Sequence, residues 1–548
     1  MDWNLATAFE SVADALPERP ALVQGDQRRT WQAFDDRSAR LAAAFAALGL
    51  APGAKVASYL HNSNEYLEGF FAAMKLRAIP VNVNYRYTAD ELAFLLESSD
   101  AELVLFDGTL AERVDAVRDQ VPLLKAAVQV DDGSPLLDGA LRFEDLIEAH
   151  EPAARVERSG GDPFFLYTGG TTGMPKGVIW RSEDIFGALG EAAYPLAGAT
   201  MPERDTDAGD VAAGVVASGV APVHLPASPL MHGTGLFTSI QSMFLGGSIV
   251  TLEGRSFDPH ELWRTVEREQ VTQMAIVGDA FGKPMLRALD EAAARGEPYD
   301  ISTLTLMISS GVIWSTEVKR ALMAHHPFAC FDSLGSSEGV GFATSISTAG
   351  DEAATSKFKI GPKARVLDDD GNEVEPGSGQ VGMLAVGGFL PSGYYKDPDK
   401  SASTFRELGG TRWSIPGDYA TVETDGTITL LGRGSVCINS GGEKIYPEEV
   451  EAAVMRHPAV HDCVVVGVPD ERFGEVVTAV VSLDADTNDS GASLRDDLVP
   501  QILASLDELA RYKQPRQLVV VDEVPRAPNG KADYKWAKRQ ATAHLTKT

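Results

Sequence analysis

Cysteine, basic residues and long apolar runs are all scarce in this chain, and each shortage removes a class of function. Only three of 548 residues are cysteine, Cys330, Cys437 and Cys463, and none stands in a Cys-x-x-Cys spacing. That count argues against a disulfide framework and against a structural zinc site. Lys and Arg number 48 against 78 Asp and Glu, a formal charge of −30. Such a chain repels nucleic acid, and no basic stripe overrides the net field, so no nucleic-acid partner is expected. No apolar run approaches the ~20 residues that span a bilayer, which excludes an integral membrane segment. The N-terminal stretch MDWNLATAFESVADALPERP is acidic and amphipathic, unlike a basic-then-apolar secretion signal, and the chain ends His-Leu-Thr-Lys-Thr rather than in a peroxisomal Ser-Lys-Leu. A cytoplasmic location is the expectation. Gly-Lys-Ser/Thr is also missing, which excludes a Walker A phosphate loop.

What is present is an ordinary globular composition, 44% hydrophobic and 23% charged, in a chain too long for one core. Arg37 to Leu48 carries apolar residues at helical spacing and stops at Gly49. Lys55 to Leu60 reads as a strand. Asn64 to Arg77 is a helix with Leu67, Phe70, Phe71 and Met74 on one face, and Pro80 to Asn84 alternates as a strand. This rhythm predicts an α/β fold with largely parallel sheets. Leu196 to Leu225, rich in Ala, Gly and Asp, has little periodicity and reads as a long, partly helical surface excursion.

The end of the chain reads as a separate small α+β domain. A strand at Thr427–Leu431 meets the glycine-flanked break Gly432-Arg433-Gly434-Ser435. Beyond it come a helix (Pro447 to His457), strands (Cys463 to Val468 and Val476 to Leu483), a helix (Ser493 to Leu509) and a strand (Gln517 to Val521).

The most informative segment is Tyr167-Thr168-Gly169-Gly170-Thr171-Thr172-Gly173-Met174-Pro175-Lys176-Gly177-Val178, which follows the strand-like Phe164-Phe165-Leu166. Its glycines let backbone N–H groups turn toward an anion, its threonine hydroxyls add donors, and Lys176 adds a point charge. A triphosphate is the natural guest.

With this loop stand Gly335-Ser336-Ser337-Glu338, Trp413-Ser414-Ile415-Pro416-Gly417-Asp418, Gly432-Arg433 and Pro528-Asn529-Gly530-Lys531, in that order. Together they resemble the motifs of the adenylate-forming superfamily, which holds acyl–CoA synthetases, carrier-loading adenylation domains and luciferases. The resemblance covers nearly the whole chain. It implies a large N-terminal α/β adenylation domain of several subdomains (residues 1–431), a hinge (432–436) and a small mobile C-terminal α+β domain (437–548). It also implies ATP, Mg²⁺ and coenzyme A as cofactors.

The resemblance assigns roles by position. Thr168, Gly169, Gly170, Thr171, Thr172, Gly173 and Lys176 would hold phosphates. Glu338 would bind Mg²⁺, a hard cation that keeps oxygen ligands and waters. Ser337 would donate to the α-phosphate. Ser310, Gly311, Asp332, Ser333, Leu334, Gly335 and Ser336 would surround the nucleotide, Leu334 standing where the family has an aromatic residue. Asp418 would accept from the ribose hydroxyls, with Arg433 holding ribose or phosphate. Lys531 would stabilise the adenylation transition state. Ser440, Gly441, Gly442, Glu443 and Lys444 would border the pantetheine arm after the small domain rotates, with Ser435 at the hinge position. His232, Gly233, Gly278, Asp279, Gly311 and Val312 would line the acyl pocket.

Motif detail around Glu338 and Ser440 is similar to actinobacterial CoA ligases for steroid side-chain acids. A hydrophobic carboxylic acid is therefore the expected substrate, a steroid side-chain or medium/long-chain fatty acid in lipid metabolism. Alternatives are an aryl-alkanoic acid, transfer to a carrier protein, and a nucleotide-binding pseudoenzyme. A homodimer is the default expectation for assembly.

Overall fold

The computed structural model describes the chain apart from residues 1–2, 169–174, 313, 351–356, 434–435, 441–442, 471–473, 485–491, 507–508, 510, 527–531 and 546–548. Residues 433, 439, 443–444, 474 and 492–497 are described by their backbone alone. The chain forms two compact units, Met1–Thr355 with Val386–Ser414, and Ser356–Ala385 with Ile415–Thr548.

The first unit is the α/β fold expected. Its early helix is longer than the periodicity from Arg37 suggests, spanning Trp31–Ala47, because Thr30 caps it by accepting a hydrogen bond from the Ala33 N–H. Trp31, Phe34, Leu41 and Phe45 make its buried stripe. The helix Asn64–Lys75 starts at a Ser63 cap and buries Leu67, Phe70, Phe71 and Met74. One sheet runs Gly393–Tyr394, Lys176–Arg181, Pro163–Thr168, Ile79–Asn82, Lys55–Tyr59, Ala101–Asp107, Ala126–Val130, Leu141–Arg142. It is parallel from Pro163–Thr168 onward and antiparallel at the Lys176–Arg181 side. The strand read from Pro80 to Asn84 is Ile79–Asn82, and it does not alternate in burial: all four residues are buried, as in a central parallel strand.

A second sheet carries the parallel run Pro20–Gln24, Ser248–Thr251, Val223–Pro226, Gln273–Ile276, Leu306–Ser310, Ala329–Ser336, with Gly339–Ser347 antiparallel beside the last. The stretch from Leu196 to Leu225 is not a surface excursion. It holds the helix Ala208–Ala217, which buries Ala208, Gly209, Ala212 and Val215, and ends in the interior strand Val223–Pro226. The small residues hid this: Gly209 lies so close to the Ser11 carbonyl that no side chain fits there. Tight contact, rather than large apolar groups, makes that interface.

In the second unit, Lys357–Ile360, Thr427–Arg433 and Asp418–Val422 pair antiparallel. The strand read as ending at Leu431 continues to Arg433, into the first residues of the expected hinge. A further sheet joins Glu443–Ile445, Ile438–Ser440, Gly474–Leu483 and Val460–Asp470, with Gln517–Val521 parallel to Gly474–Leu483. Its strands are buried on both faces: Val465, Val477 and Val481 pack with Val450, Val454 and Ile502, while Val464, Val466 and Val480 pack with Ala537 and Ala541. Those two alanines belong to a C-terminal helix, Tyr534–Leu545, absent from the sequence reading because its buried stripe is made of small side chains. The helices after residues 446 and 491 are Pro447–Val454 and Ala492–Ala504, each shorter than the periodicity suggested.

Candidate functional site

In open α/β sheets ligands gather beyond the carboxyl ends of parallel strands. Most candidate residues of the first unit lie there. His232 follows the strand Val223–Pro226, Gly278 follows Gln273–Ile276, Gly311 follows Leu306–Ser310, and Asp332 to Ser336 end the strand Ala329–Ser336. These four strands are consecutive neighbours in one sheet. Thr168 ends Pro163–Thr168 in the other sheet.

Thr168 pairs with Lys176, so residues 169–175, of which 169–174 lie outside the described residues, connect two antiparallel strands. A Walker loop opens a helix instead. Gly177 has no room for a side chain, since a β-carbon would lie 2.5 Å from the Tyr167 ring. Lys176 Nζ stands 2.5 Å from Asp397 Oδ2 and holds that carboxyl below its usual range. Asp397 also caps the helix Pro398–Thr404, accepting from the Lys400 N–H at 2.9 Å.

Ser337 and Glu338 form the apex of a tight hairpin, because Ser336 and Gly339 are cross-strand partners. Three side chains fix this apex. Trp180 Nε1 donates to the Ser337 carbonyl at 2.9 Å, Ser414 Oγ donates to the Glu338 carbonyl at 2.7 Å, and the Tyr394 hydroxyl donates to Glu338 Oε1 at 2.7 Å. Gly339 is required behind it, where a β-carbon would come within 2.8 Å of Val386 Cγ1. Glu338 is half-buried, with one carboxylate oxygen held by the phenol. Among the described residues no three His, Cys, Asp or Glu side chains converge to hold a metal. A single carboxylate beside the serine hydroxyls fits a hard cation that takes its other ligands from phosphate and water, as Mg²⁺ does.

Asp332, expected at the nucleotide, is engaged in a buried ion pair with Lys319 at 2.5 Å, and burial raises its carboxyl above the usual range despite that partner. Lys319 also lies 5.3 Å from the Trp314 ring centroid. Ser333 and Leu334 pair with Thr344 and Ala343, while Gly335 falls at a register irregularity. Ser309 Oγ accepts from the Gly278 N–H at 3.0 Å and joins two of the expected pocket segments. Gly278 and Gly311 both adopt positive φ, 50° and 93°. Val312 packs on the core cluster of the second sheet. Asp279 accepts from the Ser315 N–H at 2.9 Å, and burial raises its carboxyl. His232 and Gly233 open the helix Gly233–Phe244, with Gly233 against Phe237 and Leu166.

In the second unit Asp418 and Arg433 are direct cross-strand partners, after Gly417 at φ 100°. Ser440 pairs with Glu443 across residues 441–442, so Gly441 and Gly442 lie outside the described residues between two paired strands. Lys531 also lies outside them, but the residues bracketing its segment are described: Arg526 and Ala532 form a β-bridge. Arg526 makes a two-pronged ion pair with Asp462, both contacts at 2.6 Å.

The sequence reading did not single out Trp180, Tyr394, Lys319, Asn62 or Asn82 for the site. Only Ser414 had a signal, since it lies inside the Trp413–Asp418 motif.

Residues 9–395 match the family described as AMP-binding enzyme, and residues 449–531 match the AMP-binding enzyme C-terminal domain. The chain is similar to the 3-oxocholest-4-en-26-oate–CoA ligase of Rhodococcus rhodochrous, 42% identical over 550 residues that cover 98% of this chain and 96% of that one. It is 41% identical over 548 residues to the medium/long-chain-fatty-acid–CoA/3-oxocholest-4-en-26-oate–CoA ligase of Mycobacterium tuberculosis, with the same coverage, 98% and 96%. Its fold resembles the crystal structure of an anthranilate CoA ligase in complex with anthranoyl-AMP, with a TM-score of 0.84 at 22% identity, covering 100% of this chain and 98% of that one.

Proposed function

The chain belongs to the AMP-binding enzyme family, and from that premise we propose that it is an AMP-forming acid–thiol ligase, an ATP-dependent acyl–CoA synthetase for hydrophobic acids. The observation that carries this reading is near-full-length identity above 40% to two ligases whose names specify a steroid side-chain acid or medium/long-chain fatty acids.

In the first half-reaction a carboxylate oxygen of the acid attacks the α-phosphorus of ATP. The new O–P bond forms as the bond to the β-phosphate oxygen breaks, and pyrophosphate leaves with that electron pair. In the second, the CoA thiolate attacks the acyl carbonyl, a C–S bond forms, and AMP leaves as the C–O bond breaks. Transfers of this kind need alignment and charge neutralisation more than covalent help.

This reading assigns the Thr168–Lys176 loop to the phosphates and Ser337 to the α-phosphate. Lys176 would exchange Asp397 for phosphate on binding. Asp418 and Arg433 hold the ribose edge, and Lys531 meets the charge that develops during adenylation. Mg²⁺, held by Glu338, would neutralise phosphate charge. The Tyr394 hydroxyl keeps the Glu338 carboxylate turned in one direction, and the Trp180 and Ser414 donors keep the apex from shifting. Ser440 to Lys444 would border the pantetheine.

Steroid side-chain acids and medium/long-chain fatty acids are the substrate class, in lipid metabolism. Among the described residues no helix is long and apolar enough to cross a membrane; a cytoplasmic location and a homodimer complete the proposal.

Purified protein with ATP and Mg²⁺ should release pyrophosphate only when 3-oxocholest-4-en-26-oate or a fatty acid is added, and should form AMP and thioester when CoA follows. Absence of acid-dependent pyrophosphate release across steroid, fatty and aryl-propionic acids would sink the reading. Release without CoA-dependent thioester formation would point to a carrier protein as acceptor.

A further inference from the structure

Asn82 lies at the carboxyl end of the strand Ile79–Asn82 and is 7% exposed. Both ends of its carboxamide are engaged. Nδ2 donates to the Tyr167 carbonyl at 2.9 Å and to the Met231 carbonyl at 2.6 Å, and Oδ1 accepts from the Tyr167 N–H at 2.5 Å. Tyr167 is the second residue before the glycine-rich segment, and Met231 immediately precedes His232 and Gly233. One side chain thus ties the phosphate side of the site to the acid side.

A second asparagine grips only one of those segments. Asn62 Nδ2 donates to the Pro226 and Ser228 carbonyls at 3.0 and 3.1 Å, and its Oδ1 accepts from the Leu230 N–H at 2.7 Å. Among the described residues it makes no hydrogen bond to Tyr167 or its neighbours, and its own carbonyl accepts from Gln24 Nε2 at 3.3 Å. The loop from Pro226 to Met231 is therefore held by two side-chain amides besides the Ser228 N–H donating to the Ala275 carbonyl at 3.0 Å, and of the two amides Asn82 also holds the strand leading into the phosphate loop.

We propose that Asn82 is a positioning residue that sets the phosphate loop and the acid-side loop in register, so that the carboxylate meets the α-phosphate at reacting distance. Two donors and one acceptor within a two-atom reach are what the contacts require, and among side chains of this length only a carboxamide supplies them. An aspartate has the same shape but no donor when ionised, and it would face two carbonyl oxygens. The inference rests on the proposed assignment of ATP to the loop after Thr168 and of the acid to the side of His232.

The test compares Asn82→Asp with Asn62→Asp in pyrophosphate release, using ATP with dodecanoate and with 3-oxocholest-4-en-26-oate, below the melting temperature of each variant. Asn82→Asp is expected to raise KM for ATP and for the acid about tenfold each and to lower kcat, because reacting groups lose alignment when a buried hydrogen-bonded anchor is lost. Asn62→Asp is expected to raise KM for the acid and leave that for ATP unchanged. Asn82→Ser, which removes a donor without adding charge, is read in the same way if the aspartate variant does not fold. A variant at position 82 that melts lower but keeps both KM values overturns the proposal, as does one that moves only a single KM. An unaltered protein that releases no pyrophosphate with either acid overturns the functional reading and this inference together.

Discussion

The phenol of Tyr394 and the carboxylate of Glu338, 56 residues apart in the chain, meet at 2.7 Å. Tyr394 is placed for this by pairing with Val178 in a short edge strand, so the sheet bearing the glycine-rich hairpin also orients the carboxylate expected to hold the metal. Tyr394→Phe removes the hydroxyl and keeps the ring against Phe405. Adenylation should slow about tenfold, with a higher Mg²⁺ requirement, as the carboxylate gains rotational freedom. Acid-dependent ATP–pyrophosphate exchange at a series of Mg²⁺ concentrations measures both; an unchanged Mg²⁺ dependence would refute the orienting role.

Glu338→Gln keeps shape and removes charge. Adenylation should fall by about 10²–10³, the usual loss on deleting one charged group that faces developing charge. Circular dichroism and melting temperature should stay close to those of the parent, since the hairpin apex is held through backbone carbonyls by Trp180 and Ser414.

Lys531→Ala should separate the two half-reactions. Pyrophosphate release should drop by about 10²–10³, whereas thioester formation from synthetic acyl-adenylate should change little. Equal losses in both would remove Lys531 from the adenylation step.

The Lys319–Asp332 pair predicts a stability effect instead. Lys319→Met leaves a buried carboxylate without its cation and should cost about 3–5 kcal/mol. Adding Asp332→Leu should recover much of the loss. Urea denaturation of the single and double variants distinguishes this from simple overpacking.

Glu65 supplies a pH dependence. Burial, followed by the charge of Glu68, pushes its carboxyl up to about 7. The folded state therefore holds a proton that the unfolded chain gives up, and stability falls as pH rises from the ordinary carboxylate range to about 7. Below that range the group contributes nothing to the slope. Glu65→Gln should flatten this part of the pH–stability curve, and should gain on the order of 1–3 kcal/mol over the parent at alkaline pH. Melting temperatures at pH values on both sides of the window check the sign.

Candidates for the site that lie in or beside glycine-rich turns were legible as candidates: Thr168, Lys176, Ser337, Glu338, Asp418 and Arg433 stand out by their neighbours. So were the helices whose stripes consist of large apolar residues, such as Asn64–Lys75. Supporting residues were not. Tyr394, Trp180 and Asn82 are ordinary members of short strands, and their value comes from partners 56, 157 and up to 149 positions away. Asn82 was further disguised by an apparent alternation with Val81 and Val83, although all three are buried. Segments built on small residues, Ala208–Ala217 and Tyr534–Leu545, escaped because close approach leaves no hydrophobic period to read. Asp332 carried a nucleotide-side expectation, and its neighbour in space, Lys319, lay on a helix with no signal beyond its period.

The pairing of Ser336 with Gly339 leaves room for two residues between the strands and no more. A one-residue insertion there would have to be absorbed as a bulge or by slipping one strand against the other, and either would re-aim the two apex side chains, while a deletion would unpair the turn. Keeping Ser337 and Glu338 at this apex therefore requires the two-residue length of the bend as well as the two side chains.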